Sequence, residues 1–384
     1  MKKKHAAISI ALCIVILCSS LTASADDNRQ VVLTLEDAQK RALEVSLEYN
    51  WQNDNINDAI DEYNDTEESA DEQRSEISKG FYDYFMKPIN IDDSVQSATD
   101  NVKTEKFKKE DMKRKSDYNV LEAFINIKKA QYALEDAKLQ SGIKSKEHEA
   151  AKLKYNLELI KKDELRQAET AYDSAVDAAE SAHRSLQEEF QTLNRYIGRE
   201  LTDYNLQIVL DLENIDITII DLDKLREDYI ANREDLFSLE LKADKARKKY
   251  DATKERYDEF AVRLKVENSR EQMEEAFDDA TREYDTAREA FEDATIELDM
   301  SLNTSYENLK TASDSIAKLQ EEIQLAESDA KLAGIRYDME QISRIEMEKA
   351  LMEVETLKNK LKSEIADLNL KYEGLMMYSE ELEE

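Results

Sequence analysis

The residues able to do chemistry are few and widely spaced. Two histidines, His148 and His183, stand 35 residues apart beyond the N-terminal leader. A metal centre needs three or four converging ligands, so they read as surface histidines. Both cysteines, Cys13 and Cys18, fall inside the leader, which leaves the mature chain without a thiol for a disulfide, a thiolate metal site or a nucleophile. The acidic stretch NDNINDAIDEYND (Asn53 to Asp65) lacks the central glycine of a calcium loop and reads as a solvated helix face. There is no glycine-rich phosphate loop, and carboxylates are too numerous to single out a general-acid pair. The expectation is a protein that is not an enzyme and holds neither metal nor cofactor.

What the chain does repeat is a short polar motif. YNLELIKKDELRQA (Tyr155 to Ala168) returns 182 residues later as YDMEQISRIEMEKA (Tyr337 to Ala350). Tyr155/Tyr337, Glu158/Glu340, Ile160/Ile342, Glu164/Glu346 and Ala168/Ala350 coincide without a gap. The elements around the motif explain its place. An apolar seam at alternating spacings of 3 and 4 fades after Tyr155 and restarts at Leu165, running through Ala168, Tyr172, Ala175, Ala179, Ala182 and Leu186. Another runs from Leu309 through Ala312, Ile316, Leu319, Ile323, Ala326, Ala330 and Ala333 to Tyr337, and a third restarts at Met347. Such seams keep one stripe of a helix against a partner helix. Two interruptions of equal length at equivalent places predict two helix-to-helix turns. Glu164 and Glu346 then sit near the start of each return helix, where a carboxylate stabilises the helix dipole by about 0.3–1 kcal/mol. Neither motif offers a glycine for a left-handed C-cap, and the alternative is a stutter in a continuous helix.

Composition agrees with long helices. Of 384 residues 37% are charged and 41% apolar, with five glycines and a single proline, Pro88. The seams are rich in Ala and Tyr, which predicts tightly packed antiparallel helices. A helix from Gln272 to Tyr337 would be about 100 Å long at 1.5 Å per residue. Breaks are expected at Gly80–Ser94, at Gly198–Leu222 with short extended pieces, and at Glu267–Arg270. Val31–Thr34 reads as extended, with Thr34 as a helix N-cap. The opening MKKKHAAISIALCIVILCSSLTASADD reads as a secretory signal peptide ending near Ala25, and no later run has the roughly 20 apolar residues of a membrane helix. Removing the three leader lysines takes the net charge from −33 to −36, which disfavours nucleic acid and anionic lipid as partners. The expected organisation is a signal peptide at 1–25, one helical repeat at 26–200, a linker at 201–221 and a second helical repeat at 222–384.

With LTLEDAQKRALEVSLEY after the leader, ANREDL (Ala231 to Leu236) opening the second half, and the two motifs in order, the chain resembles the outer-membrane efflux protein (TolC) family over nearly its whole mature length. The resemblance implies an all-α fold of long antiparallel coiled-coil hairpins in two tandem repeats, with little or no β structure. It also implies a homotrimer forming a passive efflux conduit, working with an adaptor protein and an inner-membrane transporter. The hairpin tips would be the adaptor-docking sites, and Tyr155, Glu158, Lys161, Lys162 and Glu164 with Tyr337, Glu340, Ser343, Arg344 and Glu346 fill those positions. Glu158 and Glu340 stand where the family has a turn glycine. Family members also insert a strand pair in each half to build a membrane barrel, and this chain has no room for one, as in a cell envelope lacking an outer membrane. The aromatic cluster Phe81, Tyr82, Tyr84 and Phe85 sits where the barrel would begin, either contacting the envelope or capping the bundle. A structural coiled-coil envelope protein without transport activity is the alternative reading.

Overall fold

The computed structural model describes residues 31–76, 81–263 and 267–379, so the leader with its two cysteines lies outside the described residues. Strand β1 (Val31–Thr34) leads into α1 (Leu35–Val45), α2 (Leu47–Ser75), α3 (Phe81–Asn156) and α4 (Lys162–Tyr196). Strand β2 (Leu206–Val209) and a 3-10 turn at Ile217–Ile219 then precede α5 (Leu222–Asn232), α6 (Glu234–Arg263), α7 (Glu267–Asp338) and α8 (Arg344–Met376). Among the described residues the fold is all-α apart from one parallel strand pair, with Val31 opposite Leu206 and Thr34 opposite Val209. Thr34 caps α1 as its position predicts, its Oγ1 accepting from the Asp37 N–H at 3.2 Å.

Each half runs short helix, medium helix, long helix, return helix. Helices α3 and α7 have 76 and 72 residues, about 110 Å at the α-helical rise. The step from α1 to α2 is made at Ser46 and that from α5 to α6 at Arg233, both with extended backbone. Ser46 ends one helix and caps the next, its Oγ accepting from the Tyr49 N–H.

Two of the expected breaks move. Helix α3 begins at Phe81 and continues through Pro88, so Gly80–Ser94 is mostly helix. Phe85, Met86 and Ile89 pack on Met273 and partly buried Ala252, Tyr257 and Ala276, and this burial outweighs the hydrogen bond that Pro88 cannot give. Helix α7 likewise begins at Glu267, so Glu267–Arg270 is its first turn.

Around the middle of the long axis the two halves are tied together. Phe107 stacks on Phe237 at 3.9 Å between ring centres. Arg114 donates to the Asn232 carbonyl at 3.0 Å. The Tyr378 hydroxyl donates to Asp111, a nearly buried carboxylate, at 2.6 Å, while Tyr229 donates to the Leu375 carbonyl at 3.0 Å. Two apolar cores flank this belt. One holds Val120, Phe124, Ile127 and Leu193 under the strand pair; the other holds Leu225, Leu302, Leu309 and Leu368. Towards the motif end, α4 packs on α3, α3 on α8 and α8 on α7. Lys146 pairs with Glu348 at 2.7 Å, Lys129 with Asp367 at 2.6 Å, and Asn359 donates to Asp136 at 2.9 Å, which fixes the relative height of the two hairpins.

Candidate functional site: the hairpin tips

Both repeated motifs are helix-to-helix turns, and the two turns have the same hydrogen bonds. Glu158 N–H donates to the Tyr155 carbonyl at 2.9 Å and Leu159 N–H to the Lys154 carbonyl at 2.8 Å. In the second tip Glu340 N–H donates to Tyr337 and Gln341 N–H to Arg336, each at 2.8 Å. This crossed pair is a Schellman C-cap, which satisfies the last carbonyls of the incoming helix and requires a left-handed residue at its centre. Glu158 and Glu340 supply it, each with φ 60°. The turn that normally favours glycine is therefore made by glutamate twice. A left-handed L-residue costs about 1–2 kcal/mol.

The return helices start differently at the two tips. Ser343 Oγ accepts from the Glu346 N–H at 3.2 Å while Glu346 accepts from the Ser343 N–H at 2.7 Å, a complete capping box. These bonds from Ser343 hold the Glu346 carboxyl below the usual glutamate range. At the first tip only half the box exists. Glu164 accepts from the Lys161 N–H at 3.3 Å, and the lysine ammonium has no lone pair to return the bond.

The tips lie at one end of the molecule. Lys349 pairs with Glu147 across the two hairpins, and Arg344 with Glu348 at 3.0 Å. Glu348 is held below its usual pKa first by Lys146 and then by Arg344. Because Lys146 meets Glu348, the first tip reaches beyond the second by roughly six residues, ~9 Å at the helical rise. Glu158, Lys161, Lys162, Glu340 and Arg344 are exposed, and Tyr155 and Tyr337 sit at 38% and 37% exposure.

Sequence reasoning passed over the apolar residues between these polar ones. Leu157 and Leu159 are each 69% exposed and Met339 is 63% exposed, with Leu153 and Ile335 just above them. A signal existed: these residues fall out of phase with the seams and inside an otherwise charged motif. Together they give each tip an apolar knob ringed by Lys and Glu.

The aromatic cluster at the other end is divided. Phe85 is buried in the α3–α6–α7 core, whereas Tyr84 is 58% exposed with its ring edge-on to Phe85 at 5.2 Å. The side chains of Phe81 and Tyr82 lie outside the described residues. Among the described residues no group of three or more His, Cys, Asp or Glu is placed to hold a metal ion, and no helix is long and apolar enough to cross a membrane.

No protein-family model and no curated protein matches the sequence. Solved structures do match its shape. The outer membrane protein VceC of Vibrio cholerae superposes with a TM-score of 0.61 over 90% of this chain and 96% of its own, at 13% identity. The CmeC outer membrane channel of Campylobacter jejuni gives 0.61 over 91% and 87%, also at 13%. A membrane protein of Pseudomonas aeruginosa gives 0.62 over 89% and 93%, at 12%. At such identities the likeness is one of fold, and that fold is the one of the TolC-family outer-membrane channels.

Proposed function

We propose that this protein is an exported, TolC-like conduit component of the cell envelope. Its two halves are tandem repeats, it assembles as a homotrimer, and an adaptor protein, itself joined to an inner-membrane transporter, docks at the hairpin tips. The observation that carries the reading is the pair of equivalent, capped tips presenting Leu157, Leu159 and Met339 at one end of a layer of helices about 110 Å long. Exposed apolar side chains in a polar surround are costly in water and mark a protein contact. Lys161, Lys162 and Arg344 would add charge selection at the rim of that contact. The role of the protein is passive: nothing in the site calls for bond-making chemistry.

A second reading, a structural coiled-coil protein of the envelope without transport, is favoured by one specific feature. Only residues 76–80 separate α2 from α3 and only 264–266 separate α6 from α7. A membrane-spanning strand needs about 9–11 residues, so neither interval holds the strand pair of a barrel. Lysine-directed crosslinking in intact cells, with Lys161 and Lys162 as the anchors, separates the two. Capture of an adaptor-type partner, lost when both lysines are changed to Gln, supports the conduit; no tip partner, together with unchanged export of toxic compounds on gene deletion, supports the structural role.

A further inference from the structure

Helix α2 turns one continuous row of side chains to solvent. Leu47, Trp51, Asp54, Asp58, Asp61 and Asp65 recur at alternating spacings of 4 and 3, and every one is exposed. The other side of the helix, with Gln52, Ala59 and Ala70, is buried against α3. The row begins apolar and continues acidic. Leu47 is 64% exposed and Trp51, the only tryptophan of the chain, is 62% exposed. Further along, Asp58, Asp61 and Asp65 rim an open groove of about 500 Å³ between α2 and α3, floored by buried Ala70 and Ile91.

The acids of this row are not neutralised within the chain. Helix α2 holds ten carboxylates and one basic residue, Arg74, which pairs with Asp71 and Asp92. Among the described residues the side chains of Asp54, Asp58, Asp61 and Asp65 make no ion pair and no hydrogen bond. Lys109 reaches across from α3, yet it bonds to Asn53 Oδ1 at 2.6 Å and lies over the Tyr49 ring, so it misses the row. Elsewhere the chain matches charge across helices, as where Lys249 of α6 meets Glu283 of α7 at 2.7 Å. Carboxylates three and four apart on a helix repel one another, so the row is kept at the expense of the helix that bears it. An exposed tryptophan beside a leucine is the kind of anchor that protein contacts use. Unpaired carboxylates next to it complement Lys or Arg on the partner.

A second copy of this chain is a poor source of those cations. At this end the layer runs α2, α3, α6, α7. Its other edge, α7, carries twelve carboxylates against two arginines between residues 271 and 299. In the lysine-rich stretch of α3, Lys103, Lys108 and Lys115 pair with acids of their own helix. Nucleic acid and anionic lipid are repelled by the same charge.

We propose that the outer row of α2 is the docking site of a basic amphipathic helix from another protein. The apolar end of that helix covers Leu47 and Trp51. Its Lys or Arg residues, recurring every three or four positions, meet Asp54, Asp58, Asp61 and Asp65 along about 16 Å of α2. The inference goes beyond the proposed function and does not rest on it, because the row lies away from the tips.

The test uses the whole chain and a synthetic Leu/Lys peptide of about five helical turns, free of tryptophan, with Lys at alternating spacings of 3 and 4. Titration is expected to shift the Trp51 emission to the blue and to saturate at one peptide per chain. The quadruple variant Asp54→Asn, Asp58→Asn, Asp61→Asn, Asp65→Asn should weaken binding at least about tenfold, and so should Trp51→Ala followed by calorimetry. A matched control on α7, Glu271→Gln, Glu275→Gln, Asp278→Asn, Glu289→Gln, changes net charge equally and should move affinity by less than about twofold. No binding, equal weakening by the control, or equal affinity for a peptide of lysine alone overturns the docking site. Millimolar magnesium that reproduces the blue shift overturns it in favour of a cation. Self-association of the unmodified chain that disappears in Trp51→Ala overturns it in favour of a second copy. All the substituted positions are exposed, and removing like charges from a helix should not lower its helicity, which circular dichroism checks.

Discussion

Glu158 and Glu340 adopt the same left-handed backbone, each at φ 60°, at the centre of the same crossed pair of hydrogen bonds, 182 residues apart. A side chain at that φ is strained wherever it occurs, because Cβ crowds the backbone carbonyl. Both side chains are exposed, so no contact made by the glutamate side chains themselves offsets the strain.

Replacing either glutamate by glycine is therefore expected to stabilise its hairpin. Relief of about 1 kcal/mol is partly offset by the greater freedom of glycine in the unfolded chain, leaving a net gain of about 0.5 kcal/mol per site. Glu158→Ala is the control, since it removes the carboxylate but keeps the Cβ. A higher urea midpoint for the glycine variants with none for alanine assigns the effect to backbone conformation. A gain with alanine as well would assign it to charge.

The two N-caps predict opposite responses. Lys161→Ser supplies the hydroxyl that the first tip lacks and should stabilise it by about 0.5–1 kcal/mol, whereas Ser343→Ala removes one and should cost about 1 kcal/mol. Amide exchange in the first turns of α4 and α8 reads each change locally.

The Glu346 carboxyl gives the second tip a pH dependence of known sign. Its folded pKa lies below the ordinary 4.5 because Ser343 donates to the ionised form. The stabilisation is present above that ordinary value and is lost as pH falls through the depressed one. Glu346→Gln should flatten the acid-induced fraying of α8 measured by amide exchange; an unchanged acid response would show that the cap contributes nothing to it.

The tips were legible in the sequence because a coiled-coil seam cannot turn a corner without stopping, and the stops after Tyr155 and Tyr337 mark the corners. Thr34 and the extended Val31–Thr34 were legible from local chemistry alone. The left-handed glutamates were not, since local preference asks for glycine and only tertiary packing of the two flanking helices holds them there. Nor was the course of α3 through Pro88. Proline signals a break, and the burial of Phe85, Met86 and Ile89 against a helix almost 190 residues away in sequence is invisible locally. The exposed apolar residues of α7, Leu325, Leu332 and Ile335, went unread for another reason: the inner seam already accounts for the helix, and exposure is a property of the assembled layer.

The belt between the halves should open in alkali. Burial pushes the Tyr229 hydroxyl up to about 12, and burial together with Asp111 raises Tyr378 further. A phenol whose folded pKa is raised contributes stability that is present below the ordinary value of 10 and lost as pH rises through the folded one. Cooperative loss of near-ultraviolet signal is expected between pH 10 and about 12. Tyr378→Phe should blunt it, while costing about 1–3 kcal/mol at neutral pH because the nearly buried Asp111 loses a donor.

At the far end the aromatic cluster splits into two experiments on adjacent residues. Phe85 is 5% exposed among Met86, Ile89 and Met273, and truncating it to alanine should cost about 3–5 kcal/mol by loss of contacts and a residual cavity. Tyr84 is 58% exposed and touches Phe85 edge-on, so Tyr84→Ala should change stability by less than about 0.5 kcal/mol. If the cluster exists only to cap the bundle, Tyr84→Ala is silent in every assay. If this end meets the envelope, the same substitution releases the protein from the cell-envelope fraction while leaving its melting temperature unchanged. Stability and fractionation therefore move together for Phe85, whereas for Tyr84 either fractionation moves alone or neither moves. A variant of Tyr84 that unfolds the chain would show that this exposed ring belongs to the core.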